Sequence, residues 1–272
     1  MDIALTAPMA KQEVGAIRVP GTSGKLRRLY KYLRRRWDLP RILRSVDMTR
    51  FGELRAKYRD AAPDPGYSKY LDIKTGMRRA LDSVYELDLH RAHAKSVLDL
   101  GTGCGYFPYV CNYFGHAAVA VDLDEVPMYN EITQFLRVVR RVSAVRAFEN
   151  LPDLGRRFDV VTAFAVCFNN HDAPDLWGPD EWLFFLKDLA ANQLTGDGRV
   201  LLKMNQEADE GYVNQQLFKF FRQNGAVVDG ERVYFASMSQ FRTPGSSLHS
   251  CTPIPQFPWV SEQTLAAPPA LT

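Results

Sequence analysis

Three glycines at alternate positions follow a short apolar run that contains an acid. Residues 97–105 read VLDLGTGCG, so that Asp99 precedes Gly101, Gly103 and Gly105. Glycine allows a backbone to turn sharply and to approach a ligand without interference from a Cβ atom. A second apolar run, residues 117–121, ends at Asp122. This spacing predicts binding of a small ligand between a glycine loop and two carboxylates at the ends of neighbouring strands.

The order of glycines and acids distinguishes between two kinds of ligand. The dinucleotide fingerprint is Gly-x-Gly-x-x-Gly, but Tyr106 occupies the position of its third glycine. A pyrophosphate beside Asp99 would place one anion against another, whereas the cationic amino-acid end of a ligand would be attracted. Asp122 lies 21 residues after Gly101, where an acid accepts hydrogen bonds from ribose hydroxyls. The alternative to this ligand-binding role is that Asp122 is a solvated acid in a turn.

This pattern resembles the class I S-adenosylmethionine-dependent methyltransferases over roughly residues 95–240. Residues 158–161 (FDVV) are similar to the family's fourth strand, and residues 192–201 (NQLTGDGRVL) to its helix end, turn and fifth strand. The resemblance implies an α/β fold with a doubly wound, mostly parallel seven-stranded sheet of the Rossmann-like type, preceded by an N-terminal helical extension. It also implies S-adenosylmethionine as methyl donor and S-adenosylhomocysteine as product.

The same resemblance implies a set of cofactor-binding residues. The glycine loop would surround the methionine part, Asp122 would hold the ribose, and residues 148–152 would line the adenine. Ala147 stands where the family often has an acid, so the adenine contacts depart most from the family pattern. The implied residues are Asp99, Gly101, Thr102, Gly103, Gly105, Asp122, Leu123, Phe148, Glu149 and Phe164.

His171 is the candidate general base, if the methyl acceptor is a hydroxyl. It lies five residues beyond the run 158–166, on the loop that the family turns toward the transferred methyl group. Histidine is mostly neutral at physiological pH and can take a proton; the alternative is a loop histidine bonded to backbone. Asp172 or Asp180 would orient His171 or replace it. The Pro-Pro motif that many amino methyltransferases carry after the fourth strand is missing, which disfavours base amino groups as acceptors. Cys167 is interpreted as a packing residue. No group of His, Cys, Asp or Glu residues has the spacing of metal ligands.

Positive charge is concentrated near the N-terminus. The segment 25–59 carries a net charge of +10, whereas the rest of the chain carries −7. Leu26, Leu29, Tyr30, Leu33 and Trp37 recur at helical spacing among the basic residues. Ser23 is predicted to cap this helix, and Pro40 to end or interrupt it. Two interpretations stay open: the apolar stripe packs on the body while the charges are solvated, or the segment binds an anionic surface such as a phosphate-bearing substrate, acidic lipid or nucleic acid.

The overall composition fits a globular protein. Of 272 residues, 46% are hydrophobic and 24% charged. The sequence contains neither an apolar run long enough to span a membrane nor a secretory leader. These features predict a cytoplasmic protein, and an alternative is a cytoplasmic protein that is peripheral to the membrane. The predicted division is a flexible N-terminus (1–21), a basic helical cap (22–90), a cofactor-binding domain (91–242) and a Pro/Ser-rich tail (243–272). The predicted helices cover roughly 23–60, 68–87, 125–140, 180–193 and 210–224, and the predicted strands 97–100, 117–121, 158–166 and 199–204.

Three functions are compatible with these features. The first is an O-methyltransferase that acts on a polar or anionic small molecule, a glycan or a lipid-linked acceptor, with the N-terminal helices as a cap over the cofactor. The second is an RNA methyltransferase that tracks phosphates with residues 25–59, although no RNA-binding module is recognisable. The third is a non-catalytic partner protein that binds S-adenosylmethionine or S-adenosylhomocysteine.

Overall fold

The chain folds around one seven-stranded sheet with helices on both faces. The computed structural model describes residues 24–59, 65–164, 176–205 and 213–242. The helices are α1 (Gly24–Arg44), α2 (Met48–Arg59), α3 (Ile73–Glu86), α4 (Tyr106–Tyr113), α5 (Pro127–Phe135), α6 (Pro179–Asp188) and α7 (Gln215–Gln223). The strands are β1 (Ser96–Leu100), β2 (Ala117–Asp122), β3 (Val139–Val142), β4 (Phe158–Phe164), β5 (Leu194–Lys203), β6 (Val227–Asp229) and β7 (Arg232–Phe235). Short helical turns cover Pro65–Leu71, Leu89–Arg91, Leu189–Gln193 and Ser239–Phe241.

The strand order is β3-β2-β1-β4-β5-β7-β6. β1 to β5 run parallel, and β7 is antiparallel to both of its neighbours. On one side of the sheet's centre the strands follow outward in the order β1, β2 and β3, and on the other side β4 and β5 are followed by β7 and β6. The crevice where the winding direction reverses lies beyond the carboxyl end of β1, which is where doubly wound sheets bind ligands. The predicted doubly wound, mostly parallel seven-stranded sheet is confirmed.

Alternate residues of the central strands face two different cores. Val97 of β1 and Ala120 of β2 belong to the core formed with α1 to α5, while Leu98 and Val121 belong to the core formed with α6 and α7. Strands buried on both faces have the continuous apolar runs that identified them in the sequence. This three-layer arrangement fixes which strand ends meet at the site.

The N-terminal helical extension is confirmed, and it packs into the first core. Leu39 and Ile42 of α1 are buried there with residues of α3 and α4. The Tyr85 hydroxyl donates to Asp38 Oδ2 at 2.7 Å, which fixes α1 on α3. On α2, Phe51 lies 6.0 Å from Phe135 of α5, centroid to centroid.

Two predictions about individual elements are wrong. Helix α1 continues through Pro40 to Arg44; Pro40 and Arg36 are both exposed, so water can hydrate the carbonyl group that the proline leaves without a donor. The helix predicted over 125–140 ends at Phe135, and β3 follows as a short edge strand whose two arginines gave no apolar run. The predicted cap at Ser23, the flexible N-terminus and the tail lie outside the described residues.

Candidate functional site

The glycine loop joins β1 to α4 at the carboxyl edge of the sheet. All three of its glycines have positive φ angles, 67° at Gly101, 56° at Gly103 and 74° at Gly105, and side chains are strained in that conformation. The Gly101 N–H donates to the Val121 carbonyl at 2.8 Å, which ties the start of the loop to β2. The loop predicted from the sequence therefore adopts, at all three glycines, the positive-φ backbone conformation that favours glycine over other residues.

Asp99, a buried residue of β1, holds this loop through its side-chain oxygens. Its side chain is buried, with the residue 3% exposed. Thr102 Oγ1 donates to Asp99 Oδ2 at 2.7 Å, and Thr162 Oγ1 of β4 donates to Asp99 Oδ1 at 2.7 Å. Burial raises the pKa of Asp99 to about 7, against the lowering effect of the two threonine hydroxyls. Asp99 thus positions Thr102 and places a titratable carboxyl directly under the loop.

Asp122 holds the loop from the side. The Gly103 N–H donates to Asp122 Oδ2 at 2.6 Å, and the Leu123 N–H donates to Oδ1 at 2.8 Å. Burial raises the pKa of Asp122, although these backbone donors and Arg140 oppose the shift. A carboxylate has about four acceptor positions, and the two described hydrogen bonds leave others for a ligand. The Asp122 side chain is only partly buried.

Two exposed apolar side chains follow the ends of β2 and β3. Leu123 is 42% exposed and Phe148 is 56% exposed. Phe148 has a φ of 57°, an uncommon conformation for a residue with a side chain, and its ring contacts Phe184 at 5.9 Å between centroids. Glu149 is exposed and pairs with Arg146 at 3.5 Å. Leu123, Phe148 and Glu149 are thus accessible on the loops that follow β2 and β3, whereas Leu151 of the predicted adenine-lining segment 148–152 is buried.

Phe164 is the last residue of β4, and it contacts two side chains that sequence analysis did not connect with it. Its ring contacts Phe107 at 4.9 Å between centroids, and the Lys203 ammonium lies 4.7 Å from the Phe164 ring centroid. Lys203 also pairs with Glu86 of α3, Nζ to Oε2 3.1 Å. These residues are far apart in sequence, so no spacing signal connected them.

A tyrosine cluster flanks the glycine loop on the side of α2 and α5. The rings of Tyr67, Tyr70 and Tyr129 lie between 5.4 and 6.3 Å from each other, centroid to centroid. Tyr129 faces Gly103, with its ring 3.9 Å from where a Cβ atom would be. The Tyr106 hydroxyl donates to the Tyr70 carbonyl at 2.7 Å, which ties the cluster to α4. Tyr70 falls within the helix predicted over 68–87, but sequence analysis did not find this cluster.

Arg140 is a further residue that sequence analysis missed. It lies on β3 and donates to the Leu123 carbonyl, and its guanidinium group lies 3.4 Å from Asp124. These contacts hold the loop that follows Asp122. The sequence signal was weak because an arginine in an edge strand is common on a solvated surface.

The candidate catalytic residues His171 and Asp172, together with Cys167, lie outside the described residues. Asp180, the alternative partner of His171, is in the first turn of α6. Within the described ranges, no group of three or more His, Cys, Asp or Glu side chains could hold a metal ion. None of the helices in those same ranges combines the length and the apolar character needed to cross a membrane.

Comparison with known proteins gave similarity to solved structures only. No protein-family model matches the sequence, and no curated protein does. A TehB-like SAM-dependent methyltransferase from Corynebacterium glutamicum is 17% identical, with 70% of this chain and 100% of that chain covered and a TM-score of 0.40. The 1,6-didemethyltoxoflavin-N1-methyltransferase of Burkholderia thailandensis is 23% identical (66% and 84% covered, TM-score 0.39). A ribosomal protein L11 methylase from Lactobacillus delbrueckii subsp. bulgaricus is 15% identical (59% and 77% covered, TM-score 0.38). The function of this chain is therefore inferred from its own residues.

Proposed function

We propose that this protein is an S-adenosylmethionine-dependent methyltransferase. The observation that carries the proposal is the pair of carboxylates, Asp99 and Asp122, that hold the glycine loop at the carboxyl ends of β1 and β2. The acid at the glycine loop, Asp99, disfavours a pyrophosphate and favours a ligand with positive charge. The acid at the end of β2, Asp122, suits the ribose of a nucleoside. A nucleoside that bears a sulfonium and an ammonium group meets this requirement, and a nicotinamide dinucleotide does not.

The residues present fit this cofactor. Asp122 keeps acceptor positions for ribose hydroxyls beyond its bonds to Gly103 and Leu123. Leu123 and Phe148 expose apolar surface on the adjacent loops, where an adenine ring would be stacked. Tyr129 beside Gly103 offers an aromatic ring to a cation. When bound, S-adenosylmethionine supplies a methyl group attached to a positively charged sulfur.

The chain's main task in such a reaction is alignment. Holding an acceptor in line with the methyl group can lower the activation free energy by about 7–11 kcal/mol, because the translational and rotational entropy of the two reactants is lost on binding rather than in the reaction step. Thr102, fixed by Asp99, and Gly103, fixed by Asp122, give the loop one conformation. Phe107 and Phe164 supply packed apolar surface at the adjacent end of β4, which favours exclusion of water.

We propose further that the transfer is to oxygen. The acceptor would be a polar or anionic small molecule, a sugar or glycan, or a lipid-linked molecule. His171 would take the proton of the acceptor hydroxyl at a ring nitrogen, and Asp172 would orient the ring. Support comes from the residue type and from its place after β4, whose last residue, Phe164, lies at the same sheet edge as Asp99. A positioned base of this kind contributes about 10²–10⁴-fold to a rate.

The test is transfer of a radiolabelled methyl group to cell extract separated into lipid, glycan, RNA and small-molecule fractions. We expect label in a glycan, lipid or small-molecule fraction, and the product to be stable to conditions that cleave esters. His171→Ala should lower the transfer rate by about 10²-fold or more near pH 7.5. His93→Ala, at an exposed histidine in the loop before β1, is the matched control and should leave the rate unchanged.

Different outcomes separate the parts of this proposal. Label only in the RNA fraction would contradict the acceptor class. A His171→Ala rate above half of the wild-type rate would contradict the role of the base while leaving methyl transfer intact. Absence of transfer to every fraction, with the cofactor bound, would favour a non-catalytic binding protein.

A further inference from the structure

Helix α1 turns a ridge of large apolar side chains toward solvent. Leu29 is 51% exposed, Leu33 47% and Trp37 66%. Residues four positions apart lie above one another on one helix face, so the three side chains form a continuous line. The opposite face carries Asp38 and Ile42, which are buried. The interpretation that this apolar stripe packs on the body is therefore wrong for Leu29, Leu33 and Trp37.

Cationic groups lie on both sides of this ridge. Arg36 follows Tyr32 on one side, with its guanidinium carbon 6.0 Å from the Tyr32 ring centroid. On the other side, a groove of about 340 Å³ is lined by Tyr30, Leu33, Arg34, Trp37 and Arg41. Arginine binds phosphate oxygens through two parallel N–H groups. Of the two arginines in the groove, Arg34 pairs with the buried Asp38, Nη2 to Oδ2 3.2 Å. Arg41 and, on the other side, Arg36 are the exposed guanidinium groups beside the apolar ridge.

The charge of the surrounding segment favours an anionic partner. Residues 25–59 carry +10 and the rest of the chain −7. A symmetric contact between two copies of α1 would bring the same basic side chains together, which is unfavourable. Charge complementarity therefore indicates a partner other than a second copy of this chain.

The side chains of the ridge distinguish between two anionic partners. Nucleic-acid surfaces without sequence preference stack bases on aromatic rings in a basic groove, and Leu29 and Leu33 have no ring to stack. Leucine and tryptophan opposite a packed face, with arginine beside them, are the features of helices that lie in a membrane interface. Aliphatic side chains enter the acyl region while arginines meet the headgroup phosphates.

We propose that the outward face of α1, formed by Leu29, Leu33 and Trp37 with Arg36 and Arg41 beside them, docks on anionic lipid bilayers. The helix lies flat on the bilayer, because its opposite face is packed on α3. This docking is independent of the methyl-transfer proposal, since none of these residues belongs to the carboxyl edge of the sheet.

The first test is co-sedimentation of the full chain with phosphatidylcholine vesicles that contain about 30% phosphatidylglycerol. We expect binding to these vesicles, weak binding to pure phosphatidylcholine, and a decrease as salt is raised. Trp37→Glu should weaken binding about tenfold. Phe218→Glu is the matched control, because Phe218 is an exposed aromatic residue on α7 with an arginine beside its ring, and it should bind like wild type.

A second measurement separates docking from a folding defect. Trp37→Phe keeps an apolar ring and should keep vesicle binding, but it should remove the blue shift of tryptophan emission that the wild type gives on binding. Trp177 and Trp182 are buried and should not report the contact. The fourth tryptophan, Trp259, lies outside the described residues and is replaced by phenylalanine in both proteins, so that Trp37 is the reporter.

Several results would overturn the proposal. One is equal binding of Trp37→Glu and Phe218→Glu, and another is equal binding to neutral and anionic vesicles. Binding of single-stranded RNA that weakens with Trp37→Glu as much as vesicle binding does would assign the face to nucleic acid. Self-association in sedimentation equilibrium that Trp37→Glu abolishes would assign it to a second copy.

Discussion

At the scale of single residues, Asp99 and Asp122 have different surroundings and hence different tasks. Asp99 is buried and its oxygens are engaged by two threonine hydroxyls. Asp122 is partly exposed and bonded to backbone N–H groups. The first is a positioning residue that holds Thr102 of the loop, and the second is available to contact a ligand. The sequence identified both acids but could not assign these separate tasks, because burial depends on β4 and Thr162.

The raised pKa of Asp99 predicts a specific dependence of stability on pH. The folded-state pKa is about 7 because of burial, above the usual value of about 3.9 in an unfolded chain. Between these values the folded state binds more protons than the unfolded state, so the free energy of unfolding falls as pH rises from about 4 to about 7. Asp99→Asn removes this dependence.

We expect Asp99→Asn to raise the free energy of unfolding relative to wild type more at about pH 8 than at about pH 4.5, approaching about 1.4 kcal/mol for each unit of pKa difference. The measurement is denaturant unfolding at both pH values. Asp229→Asn, at an exposed acid on β6, is the control and should show no such difference. A pH-independent effect of Asp99→Asn would show that the carboxyl is ionised throughout.

At the scale of elements, the contact between α3 and α4 sets the position of the glycine loop. A Cβ atom on Gly76 of α3 would lie 2.3 Å from the Tyr106 ring, where the ring is held by the bond from its hydroxyl to the Tyr70 carbonyl. Tyr106 is the first residue of α4 and follows Gly105 of the loop directly. The two helices can approach closely only because residue 76 lacks a side chain.

Alanine substitutions at two helical glycines should therefore have opposite effects. Alanine is preferred to glycine in a helix interior by about 1 kcal/mol, but overpacking costs typically about 1–3 kcal/mol. Gly76→Ala should lower the melting temperature and weaken cofactor binding. Gly52→Ala on α2, where no atom lies within 4 Å of the added Cβ, should raise the melting temperature or leave it unchanged. A stabilising effect of Gly76→Ala would contradict the packing of α3 against Tyr106.

The elements differ in how well the sequence predicted them. β1 and β2 were located to within a residue or two, because each is an apolar run that ends near an acid and is buried on both faces. β3, an edge strand with Arg140 and Arg141, had no such run, and β6 and β7 were implied only by the resemblance. The tyrosine cluster and the pair Lys203–Glu86 could not be predicted, since each joins residues from elements far apart in the chain.

At the scale of the whole molecule, two surfaces of opposite chemistry are separated on one body. The carboxyl edge of the sheet gathers acids and exposed apolar side chains around a glycine loop. Helix α1 carries the apolar and basic surface proposed to meet lipid. Both are positioned by the first core, which α1 to α5 share. Composition predicted the asymmetry of charge, but only the packing of α1 shows that its apolar ridge is turned outward.

Isothermal titration calorimetry tests the central claim most directly. We expect S-adenosylmethionine and S-adenosylhomocysteine to bind with micromolar affinity, and Asp122→Asn to weaken binding by about tenfold or more, since hydrogen bonds to a charged group contribute about 1.5–3 kcal/mol. Asp229→Asn should bind like wild type. Binding of a nicotinamide dinucleotide, with no heat from either sulfur nucleoside, would contradict the account.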